Sequence, residues 1–171
     1  MRIEIPPWHL RPFCADDLDT MVKYSNNLKV SSKMPDHFPH PYKLEDGMKW
    51  LSCAIDKDPV CEFAIANEEH MVGCIGIQPL TDVYSVSAEL GYWVAEPFWG
   101  QDIATRALLA ASEYAMDTLH YSRLQARVFS NNPASARVLE KAGFAQEAIL
   151  KKSVCKNGTL LDQWIYARFR E

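Results

Sequence analysis

The sequence contains no long hydrophobic run and no targeting segment that we can recognise. None of its apolar stretches approaches the roughly 18 residues that a transmembrane helix requires. The start of the chain, "MRIEIPPWHLRPF", is interrupted by Glu4, by two consecutive prolines and by His9, unlike the apolar core of a secretory signal. We therefore expect a soluble, cytoplasmic protein that does not bind a membrane.

The sequence also lacks a cluster of lysines and arginines. Its formal net charge is −4, and the basic residues are scattered along the chain. Proteins that bind DNA or RNA directly carry a concentrated basic surface that contacts the phosphates. We therefore expect no direct nucleic-acid binding, whereas the acidic balance is compatible with a cationic substrate such as an amine or a basic peptide.

Cysteine and histidine patterns that would indicate a disulfide framework or a metal centre are absent. The five cysteines are odd in number, scattered, and contain no Cys-x-x-Cys pair. We expect them to be reduced and mostly buried. Asp36, His37 and His40 lie in a proline-rich loop without a further ligand at a suitable spacing, so we predict no metal site.

What the sequence does contain is an alternation of strand-like and helix-like segments. Helices are predicted at "ADDLDTMVKYSNN", "LEDGMKWLSCAID", "IATRALLAASEYAMDTL" and "NPASARVLEKAG". An interrupted strand precedes them at "IEIPPWHLRPF", and a hairpin is predicted around Asn67 and His70. Two single strands follow at "VSAELGYWV" and "SRLQARVFS", and a last hairpin turns at Asn157 and Gly158. This order predicts an α/β protein with a mixed sheet.

The stretch "FWGQDIATRAL" connects a strand to a helix through a turn that contains Gly100. Such a turn leaves backbone N–H groups pointing outward, and the helix dipole adds positive potential at the same place. The segment therefore suits a pyrophosphate group, although a plain strand-to-helix turn would explain it equally well if it stood alone.

A second segment, "NNPASARVLEKAGF", makes the pattern specific. Together with "LRPF", "FPHPY", "VGCIGI", "AELGYWV", "WGQDIATRAL" and "DQWIYA", it resembles the GNAT-fold acetyltransferases of the Rim type, the branch that includes N-terminal acetylases of ribosomal proteins. The resemblance covers nearly the whole chain. It implies one GNAT N-acetyltransferase domain over residues 1–171, with a mostly antiparallel sheet of six to seven strands and about four flanking helices.

The resemblance implies acetyl-CoA as co-substrate and a specific set of binding residues. The pyrophosphate turn would begin at Trp99, and the strand that ends at Val94 would bind the pantetheine arm. Asn132 would bond the arm or the thioester from the other side. The implied cofactor-binding residues are Tyr92, Trp93, Val94, Trp99, Gly100, Gln101, Asp102, Ile103, Ala104, Thr105, Asn132 and Ser135.

Acetyl transfer to an amine needs a proton acceptor and a donor to the developing oxyanion. Glu89 is our candidate base, although a structural strand carboxylate is an equally good interpretation. The backbone N–H of Val94 is the expected oxyanion donor. Many GNAT proteins place a tyrosine where this chain has Leu139, so Ser135 becomes the candidate general acid, against the simpler interpretation that it completes a helix cap.

We expect the acceptor to be a protein N-terminal α-amine, bound near Phe38, His40 and Tyr42 in the "MPDHFPHPY" loop. A small amine, such as a polyamine, an amino acid or an aminoglycoside, is the alternative acceptor. A third hypothesis is a degenerate CoA-binding module without turnover. The chain could act as a monomer or a homodimer.

One residue of the pyrophosphate turn departs from the family pattern. Asp102 stands where the family usually has glycine, so it adds a side chain and a negative charge close to a multiply charged anion. Arg106, four residues later, is close enough to offset that charge on a helix. We predict that CoA still binds, with Arg106 compensating for Asp102.

Overall fold

The computed structural model describes residues 1–170 and confirms an α/β protein with a mixed sheet. The described residues form eight strands and five α-helices. In chain order they are β1 (Ile3–Ile5), β2 (Trp8–Pro12), α1 (Leu18–Ser25), α2 (Leu28–Ser31), α3 (Leu44–Ala54), β3 (Glu62–Ala66), β4 (Met71–Pro79), β5 (Ser87–Val94), α4 (Ile103–Asp117), β6 (Arg123–Phe129), α5 (Pro133–Lys141), β7 (Ala145–Lys156) and β8 (Thr159–Phe169).

The chain folds as two compact units. The first contains Met1–Gly76 and Tyr92–Ala107, and the second contains Ile77–Gly91 and residues 108–170. Both units draw on separated stretches of the sequence, because β4, β5 and α4 each begin in one unit and end in the other.

The first unit is built from antiparallel strands that follow the order β1-β2-β3-β4. Strand β3, "EFAIA", is buried after its first residue, and β4 is buried from Met71 to Ile75, as its short apolar composition predicts. The hairpin predicted around Asn67 and His70 is confirmed, with a bulge at Ile65 and Ala66. Helices α1 and α3 pack against each other in this unit.

An apolar core cluster fills the first unit. Its buried members come from the loops and helices of residues 13–54 and from the strands. They are Phe13, Met21, Val30, Tyr42, Leu51, Ala54, Ala64, Met71, Cys74, Trp93 and Ala95. Burial of a large apolar side chain of this kind stabilises a fold by roughly 1.5–3 kcal/mol.

The second unit contains both parallel and antiparallel strand pairs, in the order β5-β6-β8-β7. Strand β5 pairs with β6 in parallel, whereas β8 pairs antiparallel with both β6 and β7. The predicted last hairpin is confirmed, because β7 and β8 meet at Asn157 and Gly158, whose φ values are 50° and 76°. Two positive φ angles in sequence are what a type I′ hairpin turn requires.

The predicted fold class is confirmed, and the strand count is higher than we predicted. The expected six to seven strands are eight, because the interrupted first strand folds into β1 and β2 around Pro6 and Pro7, which cannot continue one ladder. The expected four or so helices are five, because the chain turns after α1 and starts the short helix α2. Asn27 caps α2 by accepting a hydrogen bond from the backbone N–H of Lys29 at 2.8 Å.

The cysteine prediction also needs correction. Of the five cysteines only Cys74 is buried and Cys61 is partly buried, while Cys14, Cys53 and Cys155 are exposed. Cys14 lies at the start of a single 3-10 turn and Cys155 on β7, whose side chains are mostly exposed. Among the described residues, no helix combines the length and the apolar composition needed to span a bilayer.

Candidate functional site

The predicted pyrophosphate turn adopts a backbone that favours glycine at two positions. Gly100 has a φ of 78° and Asp102 has a φ of 58°. Both lie in the left-handed region, which most L-residues avoid and which aspartate tolerates better than most. The two residues are exposed, and helix α4 begins directly after Asp102. The geometry therefore explains why a glycine would suit position 102.

The first turn of α4 contains a buried hydroxyl without a partner. Thr105 is only 6% exposed, and its Oγ1 makes no hydrogen bond among the described residues. A buried hydroxyl left unpaired costs about 1–3 kcal/mol, so it is expected to have a use. Thr105 lies in the first turn of α4, where the unpaired backbone N–H groups of a helix N-terminus favour an anion.

The end of β5 is held in place by close backbone contacts within the first unit. The indole N–H of Trp99 donates a hydrogen bond to the carbonyl of Val94 at 2.6 Å, which ties the turn to the strand. The N–H of Ala95 donates to the carbonyl of Val72 at 2.8 Å. At Gly73 an added Cβ would lie 2.4 Å from the carbonyl oxygen of Trp93, so only glycine allows this approach.

In the second unit, the parallel ladder of β5 with β6 is short. It joins Ser87, Ala88 and Glu89 to residues 123–125. Strand β6 continues to Phe129 and stays paired with β8 over its whole length. The described ladder between β5 and β6 therefore ends before either strand does.

The candidate base Glu89 lies on β5 at the end of this ladder and is partly buried. Its carboxylate already has two partners, because Arg127 Nε lies 2.9 Å from Oε2 and Gln125 Nε2 donates to the same oxygen at 3.1 Å. These contacts match the structural interpretation of this residue. Its catalytic role remains a prediction.

Asn132 and Ser135 occupy the start of α5. Asn132 caps the helix, because its side-chain oxygen accepts a hydrogen bond from the Ser135 N–H at 3.3 Å, and Pro133 occupies the first helical position. Both side chains are partly exposed. Leu139, which occupies the family's tyrosine position, is fully buried and contributes no polar group.

The predicted acceptor residues differ in their surroundings. Phe38 is partly buried, and its ring centroid lies 5.3 Å from that of Tyr42 and 5.8 Å from that of Trp93. Tyr42 belongs to the core, and its burial raises the pKa of its hydroxyl to about 12. His40 is exposed. Phe38 and His40 are therefore accessible, whereas Tyr42 is buried and contacts the Phe38 ring.

One titratable residue was missed by our sequence analysis. Glu62 is the first residue of β3 and is partly buried, and burial raises the pKa of its carboxyl to about 7. In the sequence it looks like an ordinary charged residue that precedes an apolar strand. The signal that could have found it is Gly76, which pairs with it on β4.

The predicted residues fall on both units. Phe38, His40, Tyr42 and residues 92–105 belong to the first unit, whereas Glu89, Asn132 and Ser135 belong to the second. Within residues 1–170, no group of three or more His, Cys, Asp or Glu side chains is suited to hold a metal ion.

These features define an α/β fold with a mixed sheet and a glycine-containing turn at the start of α4. The chain matches the acetyltransferase (GNAT) domain family over residues 8–145, which is more than half of its length. The protein belongs to this family, as the sequence resemblance predicted.

Curated relatives are similar over part of their length. The probable N-acetyltransferase YjcK of Bacillus subtilis (strain 168) is 32% identical over 115 residues, which are 66% of this chain and 64% of that protein. The ribosomal-protein-serine acetyltransferase of Escherichia coli (strain K12) is 32% identical over 109 residues, 62% of this chain and 59% of that protein. The chain thus spans less than two thirds of these relatives.

Solved structures confirm the fold over the whole chain. RimL, a ribosomal L7/L12 alpha-N-protein acetyltransferase solved in complex with coenzyme A, matches with a TM-score of 0.87 at 21% identity. The match covers 99% of this chain and 98% of RimL. At this level of identity the likeness establishes the GNAT fold.

Proposed function

We propose that this protein transfers an acetyl group from acetyl-CoA to a primary amine, and that the acceptor is a protein N-terminal α-amine. The observation that carries the proposal is the turn before α4, where exposed backbone and the unpartnered hydroxyl of Thr105 suit a phosphate group. Membership in the GNAT family supports acetyl-CoA as the source of that phosphate.

The residues present fit coenzyme A in its pyrophosphate part. The turn from Trp99 to Thr105 offers backbone N–H groups, and the hydroxyl of Thr105 can donate one further hydrogen bond. The strand end at Tyr92–Val94 is assigned to the pantetheine arm by the sequence resemblance, and so is Asn132. Asp102 is the one unfavourable charge in this set.

The transfer requires that the acceptor lose a proton before its nitrogen attacks the acetyl carbonyl carbon. The new C–N bond replaces the C–S bond, and the departing thiolate of CoA takes up the second proton of the amine nitrogen. We assign the first proton transfer to Glu89, acting directly or through water. Ser135 is assigned to the thiolate: its hydroxyl gives the thiolate a proton and takes the second proton of the amine nitrogen in return. The backbone N–H of Val94 is assigned to the oxyanion.

The acceptor class is supported by the names of similar proteins. The Escherichia coli relative is named a ribosomal-protein-serine acetyltransferase, and RimL is named a ribosomal L7/L12 alpha-N-protein acetyltransferase. These names favour an N-terminal α-amine over a small amine. A polyamine, an amino acid or an aminoglycoside remains the second candidate acceptor.

Two measurements made side by side test the proposal. Isothermal titration with acetyl-CoA measures binding, and a thiol-release assay over peptides and small amines measures turnover. We expect binding together with thiol release that depends on peptides with a free N-terminus. Release with small amines alone would reject the acceptor class, and binding without release across a broad panel would support a CoA-binding module.

A further inference from the structure

The carboxyl group of Glu62 lies directly over a glycine on the neighbouring strand. Glu62 of β3 is paired with Gly76 of β4, and an added Cβ at Gly76 would lie 2.4 Å from Oε2 and 2.9 Å from Oε1. Any larger residue at position 76 would therefore displace the carboxyl group. The absence of a side chain there gives the Glu62 carboxyl its place on the sheet.

The carboxyl group of Glu62 has no partner within the first unit. Neither a hydrogen bond nor an opposite charge from the described residues contributes to its pKa, for which burial is the one cause. Burial alone raises the pKa of the group to about 7. The titratable groups that respond to its charge are two thiols, because Glu62 contributes to the raised pKa values of Cys61 and Cys74, and neither can neutralise it.

Glu62 adjoins the part of the first unit that carries the predicted acceptor residues. Ala64 and Cys74 are paired on the same two strands, and both belong to the apolar cluster that also contains Tyr42 and Trp93. Phe38 packs against that cluster. Strand β4 separates β3 from β5, so Glu62 lies two strand spacings, about 10 Å, from the strand whose end is assigned to the pantetheine arm.

We propose that the Glu62 carboxylate binds a positively charged group of the acceptor, other than the amine that is acetylated. The inference rests on the proposed acetyl transfer and narrows its acceptor to a cationic one. A carboxylate that is partly buried and unpaired loses solvation without gaining a partner, and an ammonium or guanidinium group would supply that partner. The distance of two strand spacings, about 10 Å, explains why the bound cation and the attacking amine are different groups.

The ionisation of Glu62 gives the proposal a pH signature. Below about pH 7 the carboxyl group is mostly protonated, and above it the group is charged. A lysine side chain keeps its proton up to about pH 10, so the attraction between the two should strengthen as the pH rises through about 7. Deprotonation of the attacking α-amine also affects the rate, but it affects all peptides with the same N-terminus equally.

Two kinds of acceptor could provide the cation. A peptide would provide a lysine or arginine side chain near its N-terminus, and a small molecule would provide the second amine of a diamine. The test therefore has two arms. One compares peptides that are identical except for lysine or norleucine at positions two to four, and the other compares 1,4-diaminobutane with butylamine.

The experiment measures kcat/KM for each pair of acceptors between about pH 6 and pH 8.5. In the wild-type protein we expect the preference for the cationic acceptor to reach roughly tenfold, and to grow as the pH rises. Glu62→Gln should abolish both the preference and its pH dependence. Gly76→Ala should reduce the preference, because its Cβ displaces the carboxyl group without removing the charge. Glu69→Gln, an exposed carboxylate on the β3–β4 turn, is the matched control.

The outcomes separate this inference from the proposed function. If wild-type protein acetylates amines but Glu62→Gln keeps the preference and the pH dependence, the Glu62 assignment is wrong and the transfer activity stands. If the wild-type protein acetylates no amine in either arm, the proposed transfer activity and the Glu62 assignment are both wrong. Titration with acetyl-CoA should give the same affinity for wild type and Glu62→Gln, and a loss there would show that the substitution disturbs the CoA site instead.

Discussion

Asp102 has the backbone conformation of a glycine and the charge of an acid. Its φ of 58° lies in the left-handed region, which costs a non-glycine residue roughly 1–2 kcal/mol on average and aspartate somewhat less. The sequence comparison with the family predicted that this position favours glycine, and the structure supplies the physical reason. The negative charge of Asp102 beside the proposed phosphate site is a separate effect, which the backbone does not explain.

Asp102→Gly should therefore leave the affinity for acetyl-CoA unchanged or raise it, because it removes a like charge and relieves the backbone. Arg106→Ala should lower that affinity, since it removes the positive charge that we expect to offset Asp102. The guanidinium of Arg106 also donates to the carbonyl of Pro6, so its loss is checked for an effect on stability. Titration calorimetry measures the acetyl-CoA affinity of both variants, and Arg170→Ala, at an exposed arginine, is the control.

If Arg106→Ala binds acetyl-CoA as tightly as the parent, the compensation between the two charges is refuted. A fall in affinity that is accompanied by a large fall in melting temperature would point to the Pro6 contact instead.

The hydroxyl of Thr105 leads to a prediction in which binding and stability move in opposite directions. Thr105→Val keeps the shape and removes the unpartnered hydroxyl, so the free protein should be as stable as the parent or more stable by about 1 kcal/mol. The affinity for acetyl-CoA should fall about five- to tenfold, since a hydrogen bond to phosphate is lost. Calorimetry and thermal melts measure the two quantities.

Ser112→Ala is a suitable control for Thr105→Val in the same helix, because the Ser112 hydroxyl already donates to the carbonyl of Leu108 at 2.7 Å. The control should not change CoA affinity. Unchanged affinity in Thr105→Val as well would remove Thr105 from the cofactor site.

The raised pKa of Glu62 also predicts a pH-dependent effect on stability. Its pKa rises from 4.5 to about 7 on folding, so between these values the folded state keeps a proton that the unfolded state has lost, and stability falls as the pH rises. Over the whole pH range, this shift lowers the free energy of unfolding by about 3 kcal/mol. Glu62→Gln should therefore stabilise the protein by about 3 kcal/mol at pH 8 and by less than about 1 kcal/mol at pH 5.

Urea unfolding at the two pH values measures this difference directly. Equal gains at both values would mean that Glu62 titrates normally in the folded protein.

At the scale of elements, local signals predicted most of the fold. The Asn157 and Gly158 pair predicted the last hairpin. The spacing of apolar residues along the chain predicted the long helices and most strands. The short helix α2 was not predicted, because four residues carry too little periodicity and its cap at Asn27 reads as the end of the preceding helix. The sequence showed that two prolines interrupt the first strand, but it did not show that the two parts form separate strands.

The sequence predicted the local structure of the turn in the candidate site, but it did not predict the surroundings that long-range packing gives to Glu62 and Glu89. The turn around Gly100 is a local feature of strand, turn and helix, so the sequence alone indicates it. The pKa of Glu62 is set by residues distant in sequence, and the partners of Glu89 come from a neighbouring strand. Neither could be deduced from residue type and spacing.

Strand β4 approaches the end of β5 so closely at Gly73 that a larger residue there should destabilise the protein. Gly73→Ala places a methyl group 2.4 Å from the carbonyl oxygen of Trp93, a backbone atom that cannot move aside without disturbing the strand. We expect a loss of stability of about 1–3 kcal/mol and a weaker affinity for acetyl-CoA. Gly91→Ala is the matched control, because nothing lies within 4 Å of its added Cβ.

Thermal melts and calorimetry of the two glycine variants measure this prediction. A Gly73→Ala variant as stable as Gly91→Ala would show that the two strands are not held as closely as described.

At the scale of the whole molecule, charge and family membership limit the activities that are compatible with the chain. The net charge of −4 favours cationic partners through long-range attraction, which agrees with an acceptor that carries a positive group. Membership in the GNAT family indicates acetyl-CoA chemistry, but many acceptors are used on similar folds, so the acceptor must be decided by the site.

Mass spectrometry of the reaction products tests the central claim most directly. The purified protein is incubated with acetyl-CoA and a mixed library of free N-terminal peptides and small amines. We predict that peptides gain one acetyl group on the α-amine, with peptides that carry a nearby lysine or arginine acetylated first. A library that stays unmodified while acetyl-CoA binds tightly would contradict the claim that this protein is an N-acetyltransferase.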